Sequence, residues 1–185
     1  MNLIFGLAVA AVLILWNSSS ALAEDIMIDD FKSQPEKRWR FIADTVMGGI
    51  STGNVSFLAE NKDTYARMTG NVSTQNNGGF IQFRMKLPSP LPKSVVGLRL
   101  VVRGNNQKYF MHLRTTGTFL PWQYYQAGFE VNRYWSEVRL PFEAFKASGN
   151  FLRAVPQPES LKSVGIVAFG RDHEAEIEVR EVGYY

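Results

Sequence analysis

The chain has 185 residues, no cysteine, two histidines and a formal net charge of +3 at pH 7. Without a thiol there is no disulfide framework, no thiolate nucleophile, no zinc–thiolate centre and no iron–sulfur cluster, so stability has to come from packing. Lys and Arg are interleaved with Asp and Glu, a pattern with no nucleic-acid footprint and only a weak pull toward an acidic partner or a membrane surface.

Residues 1–23 read as a secretory signal peptide. The apolar run Leu3–Trp16 falls short of the roughly 20 residues that span a bilayer. Ala21 and Ala23 stand in the small-x-small pattern of a cleavage site, although no Lys or Arg precedes the run. The expectation is export to the periplasm or the cell exterior. Residues 24–185 then form a single domain with a sizeable core. No later segment is apolar enough for stable membrane insertion once the signal is removed.

Beyond the leader the periodicity is mostly two, the spacing of half-buried strands. Candidates in chain order are Arg38–Ala43, Asn54–Ala59, Thr64–Gly70, Gly79–Met85, Gly97–Gly104, Lys108–Thr115, Trp122–Val131, Tyr134–Pro141, Ser163–Gly170 and Ala175–Val182. The alternation assigns faces. Ile81, Phe83 and Met85 oppose Phe80, Gln82 and Arg84; Leu98, Leu100 and Val102 oppose Arg99, Val101 and Arg103; Tyr109, Met111 and Leu113 oppose Phe110, His112 and Arg114. Helix is scarce, with one turn expected at Pro141–Phe145 and Pro141 at its first position. Three prolines in Leu87–Ser94 suggest a stiff crossover between sheets. Many short strands separated by turn residues predict an all-β sandwich or barrel.

Two glycine windows break the alternation. In DTVMGGIS, Asp44 to Ser51, a Walker loop is excluded because no Lys follows at the required place, and the dinucleotide and nucleophile-elbow spacings are absent. The residues suit a tight turn between two strands, with Asp44 accepting backbone N–H bonds and Gly48–Gly49 permitting positive φ. A side chain at Gly49 would then be costly. In QNNGGF, Asn76, Asn77, Gly78 and Gly79 suit left-handed backbone in a hairpin connection. The strand that follows puts Phe80, Gln82 and Arg84 on one face, a polar and aromatic set that could meet a ligand. Downstream, Trp122 and Tyr124 would share a strand face with Gln126; aromatic rings stack on sugar C–H faces while amides and guanidinium groups bond hydroxyls. The charged Arg171–Glu176 segment reads as a solvated hairpin rather than a calcium site, and neither histidine has a metal-ligand spacing partner. No metal or cofactor is expected.

Together these windows, with the Gly97–Thr115, Trp122–Phe129 and Tyr134–Phe145 segments, resemble the complex I intermediate-associated protein 30 family over roughly Ile26–Phe145. The resemblance implies a galactose-binding-like β-sandwich, a jelly roll with little helix. Mitochondrial members of that family are assembly chaperones for respiratory complex I; a secretory leader departs from their matrix location. The reading that follows is a non-catalytic binding or assembly module for a protein partner such as a membrane respiratory complex. Its candidate surface is Asp44, Met47, Gly48, Gly49, Ser51, Asn76, Asn77, Gly78, Gly79, Phe80, Gln82, Arg84, Trp122 and Tyr124. The alternative is a carbohydrate-binding module of the cell envelope. A hydrolase ranks last, because histidines are sparse and no acid/base carboxylate pair stands out.

Overall fold

The structure is a computed structural model that describes residues 25–185; the segment read as a signal peptide lies outside the described residues. Its strands are β1 (Ile26–Asp29), β2 (Trp39–Ala43), β3 (Thr52–Glu60), β4 (Asp63–Val72), β5 (Phe80–Lys86), β6 (Gly97–Gly104), β7 (Lys108–Thr115), β8 (Tyr125–Glu130), β9 (Ser136–Pro141), β10 (Lys146–Ala147), β11 (Leu161–Phe169) and β12 (His173–Tyr184). One short helix, α1 (Pro35–Arg38), and a few 3-10 turns complete the chain.

The strands form two antiparallel sheets of six. The first runs β3-β4-β12-β6-β9, with β1 also paired to β12; the second runs β10-β8-β7-β11-β5-β2. Their inner faces share one apolar core, to which Ile81, Phe83, Leu98, Leu100, Tyr109, Met111, Leu113, Val164, Ile166, Ile177 and Val179 contribute. On β5, β6 and β7 these are the faces the alternation assigned. Each fully buried large side chain contributes roughly 1.5–3 kcal/mol relative to exposure. On β12 the alternation would turn Val182 outward, but a register slip between Val179 and Glu181 re-phases the strand and returns it to the core.

The first strand and α1 escape a reading by period because both are only four residues long. They are held by side-chain chemistry instead. Buried Asp29 accepts from Phe31 N (2.8 Å), Arg38 Nε (2.7 Å), Arg38 Nη2 (2.9 Å) and Trp39 Nε1 (3.2 Å). That clamp seats Phe31 and Trp39 side by side, with ring centroids 5.3 Å apart, and Trp39 lies 5.2 Å from Phe83.

Three local expectations change. Only β3–β4 and β7–β8 are hairpins of consecutive strands. The Asn76–Gly79 turn therefore joins β4 in the first sheet to β5 in the second, and Arg171–Asp172 likewise links β11 to β12 across the sandwich. Isolated turn chemistry specifies a reversal, not which sheet receives the chain. The Leu87–Ser94 segment is a crossover between sheets, as its prolines suggested. Pro141 caps the 3-10 turn Phe142–Ala144 rather than occupying its first position.

Candidate functional site

The outer face of the second sheet is a trough. Strand pairing aligns Arg40, Arg84, Gly165, His112 and Gln126 in one rung across β2, β5, β11, β7 and β8. The next rung toward Lys86 aligns Lys86, Ser163 and Arg114; the one on the other side aligns Ile42, Gln82, Val167, Phe110 and Gly128. Paired residues project to the same side of a sheet. The central strand therefore offers small outward side chains, Ser163 and Gly165, between larger ones on β5 and β7. A Cβ at Gly165 would already stand 3.2 Å from Gln82 Oε1.

At one end of this trough a cleft of about 710 Å³ is lined by Ile42, Val46, Met47, Phe80, Gln82, Arg84, His112, Arg114, Pro121, Trp122, Tyr124, Ser148 and Phe169, within the roughly 300–1,000 Å³ typical of ligand sites. Six predicted residues meet here: Met47, Phe80, Gln82, Arg84, Trp122 and Tyr124. Trp122 does so from a turn, because β8 starts only at Tyr125. That turn is built by side chains. Gln123 Oε1 accepts from Phe119 N (2.9 Å) and Leu120 N (3.0 Å), and Arg114 Nη2 donates to the Leu120 carbonyl (2.8 Å). Ser148 Oγ donates to the Trp122 carbonyl (2.9 Å) and accepts from Tyr124 N (3.0 Å). The indole stays 64% exposed.

Tyr124 lies on His112, with centroids 4.2 Å apart and planes 11° from parallel; Phe169 meets both rings edge-on. His112 Nε2–H donates to Gln126 Oε1 at 2.8 Å. Burial pushes the His112 pKa down to about 4, against the opposing pull of that bond. Its ring is a neutral spacer at neutral pH. Arg84 is half-buried, and its guanidinium is held below its ordinary pKa by burial first and then by the Arg114 charge.

The remaining predicted residues build a different object. Asp44, fully buried, accepts from Ser51 N (2.9 Å), Ser51 Oγ (2.5 Å), Gly79 N (2.6 Å) and Phe80 N (3.2 Å). Both glycine windows fold around this one carboxylate. A Cβ at Gly49 or at Gly78 would overlap it. The positive φ sits at Gly48 (91°) rather than Gly49; Asn76 (55°), Asn77 (57°) and Gly79 (126°) also have positive φ. Burial raises the Asp44 pKa, but the four hydrogen bonds outweigh it and hold the carboxyl below the usual range. Asp44, Gly49, Ser51 and Gly79 are consequently buried and are not surface residues, while Gly48, Asn76 and Asn77 are exposed and Gly78 half-buried. Asp172 ties the third inter-sheet turn to the same place by accepting from Thr74 N (2.7 Å) and Thr74 Oγ1 (2.8 Å).

The model of the complex I intermediate-associated protein 30 family matches residues 29–179, which include both glycine windows and every strand of the trough. The chain belongs to this family. In the family member described here the two glycine windows are one structural knot that positions Val46, Met47 and Phe80 at the cleft. No curated protein matches the chain.

Solved structures share its fold. A family 11 carbohydrate-binding module of a Clostridium thermocellum cellulosomal cellulase superposes with a TM-score of 0.71 at 11% identity, covering 87% of this chain and 94% of that one. The same module in complex with a β-1,3-1,4-mixed-linked tetrasaccharide gives 0.70 at 10% identity, over 86% and 94% of the two chains. A family 30 carbohydrate-binding module of Clostridium thermocellum gives 0.55 at 9% identity, over 88% and 97%. At such identities the likeness concerns the jelly-roll β-sandwich.

Sequence reasoning missed Ile42, Val46, His112, Arg114, Pro121, Ser148 and Phe169. The outward phase of His112 and Arg114 was readable from β7 alone. That β5 and β7 flank a shared neighbour, β11, was not.

Proposed function

We propose that this chain is a non-catalytic binding module that takes a carbohydrate in the cleft on the outer face of the second sheet. The observation that carries the reading is Trp122, exposed on a hydrogen-bonded turn and lining one cleft with the Tyr124–His112 stack, Gln82 and Arg84. An exposed ring supplies a flat apolar surface for a sugar face, and the amide and guanidinium supply donors and an acceptor for hydroxyls. Among the cleft's lining residues there is no carboxylate, and its histidine is already engaged with Gln126 and Tyr124. These facts favour holding a ligand over acid/base chemistry. If residues 1–23 are a secretory signal, such a module acts in the periplasm or outside the cell.

Titration of soluble oligosaccharides into the full chain tests this, read by calorimetry and by loss of Trp fluorescence. Binding is expected, and Trp122→Ala should weaken it at least about tenfold, or about 1.4 kcal/mol. A broad glycan panel without a binder sinks the reading.

A second reading has its own support. Val46 (72% exposed) and Met47 (59%) are exposed apolar side chains on the cleft's lining, and such surface suits a protein partner. This is the assembly-factor role, with a membrane respiratory complex as the partner. Affinity purification from solubilised membranes tests it, and recovery of no respiratory subunit counts against it.

A further inference from the structure

We infer that the cleft is built for an acidic carbohydrate, with Arg84 as the residue that meets the anionic group. This rests on the carbohydrate reading above and names its ligand class.

The two outer faces of the sandwich treat their arginines in opposite ways. On the first sheet Arg67 pairs with Glu176 (2.6 Å), Arg99 with Glu181 (2.9 Å), Arg103 with Glu60 (3.0 Å), Arg139 with Glu137 (2.6 Å) and Arg180 with Asp63 (3.8 Å). On the second sheet Arg84 has neither an ion pair nor a hydrogen bond to any described residue. Among the described residues Arg114 bonds only to neutral oxygens, those of Thr118 and Leu120. The unpaired cations also sit together. Strand register puts Arg40 and Arg84 on one rung, and Lys86 and Arg114 on the next. The groove that continues from Arg84 past Lys86 and Lys162 contains one carboxylate, Glu159.

A half-buried guanidinium beside a second one is a cost to the fold unless something compensates it. Burial and the Arg114 charge both hold the Arg84 pKa below its ordinary value, and an anion beside it would relieve both. Arg presents only donors, in a planar fork that matches a carboxylate or a sulfate ester and gains less from hydroxyls. Gln82, on the adjacent rung, carries both donor and acceptor and suits the neutral hydroxyls. Trp122 and Tyr124 supply the sugar-ring contact. The cleft therefore has a neutral, aromatic side and a cationic side.

The test is calorimetric titration of the full chain with three probes: tetragalacturonate, a sulfated galactan tetrasaccharide and a neutral mixed-linked β-glucan tetrasaccharide. A hexaglutamate peptide serves as a fourth. At low salt at least one acidic sugar should bind at least about tenfold tighter than the neutral one, and high salt should shrink that advantage. Whichever acidic sugar wins distinguishes carboxylate from sulfate. Arg84→Gln should bring the acidic ligand down to the neutral affinity, whereas Trp122→Ala should weaken acidic and neutral sugars alike. The melting temperature of each variant checks its fold, and Arg84→Lys, which keeps the charge, should restore part of the preference. Equal affinity for acidic and neutral sugars, or no effect of Arg84→Gln, overturns the acidic preference while the carbohydrate cleft stands. No binding to any sugar removes both. Hexaglutamate binding as tightly as the best sugar replaces the glycan with an acidic peptide and overturns the proposal.

Discussion

Asp44 is the residue around which the sequence signature is organised. A buried carboxylate costs free energy unless its lone pairs are filled, and here backbone and hydroxyl donors from two distant turns fill them. Gly49 and Gly78 are glycines because the carboxylate occupies the space a side chain would need. Gly49→Ala and Gly78→Ala should each cost about 1–3 kcal/mol by overpacking. Gly48→Ala meets nothing within 4 Å and only strains φ, so it should cost about 1 kcal/mol. Urea denaturation orders the three; a Gly48 variant weaker than the other two would refute the packing account. Asp44→Ala leaves three backbone donors unmet and should cost at least about 3 kcal/mol.

His112 makes a separate prediction in pH. Its folded pKa, about 4, lies below the ordinary 6.5. Between those values the unfolded chain binds the proton that the native state refuses, so stability is full above pH 6.5 and falls as pH drops toward 4. His173, also lowered by burial, contributes in the same direction. The melting temperature should decline from pH 7 to pH 5, and His112→Gln should flatten most of that slope. An unchanged slope in this variant would show that His112 does not carry the effect.

At the scale of elements, β11 decides the shape of the site. Flanked by β5 and β7, it keeps Ser163 and Gly165 on the outer face, where a larger residue would fill the trough. Gly165→Leu should displace the Gln82 and Arg84 side chains that a Cβ there would meet and so weaken ligand binding; retained affinity would show that the ligand sits elsewhere. The faces of β5, β6 and β7 were legible, because alternation with period two needs no knowledge of neighbours; on β12 the register slip after Val179 defeats that reading. Trp122 lines the cleft from a turn, not from the strand expected for it. Its turn depends on Gln123, Arg114 and Ser148 bonding to backbone groups, which leaves no periodic trace.

At the scale of the whole molecule, charge is divided between two faces. The first sheet's outer face is a ladder of ion pairs, and the second sheet's carries unpaired cations over its trough. The mild net charge of +3 hides this division. From sequence alone follow the all-β class, the inward sets of β5, β6 and β7, the left-handed turn at Asn76–Asn77 and six of the residues that line the cleft. The tertiary structure alone decides that both glycine windows cross between sheets, that they close on Asp44, and that β5, β11 and β7 lie side by side. The reason is physical: side-chain alternation is set within a strand by the pleat, whereas strand neighbours are chosen by pairing between distant segments, as β12 pairs with β4, β6 and β1. The site exists only once those long-range choices have been made.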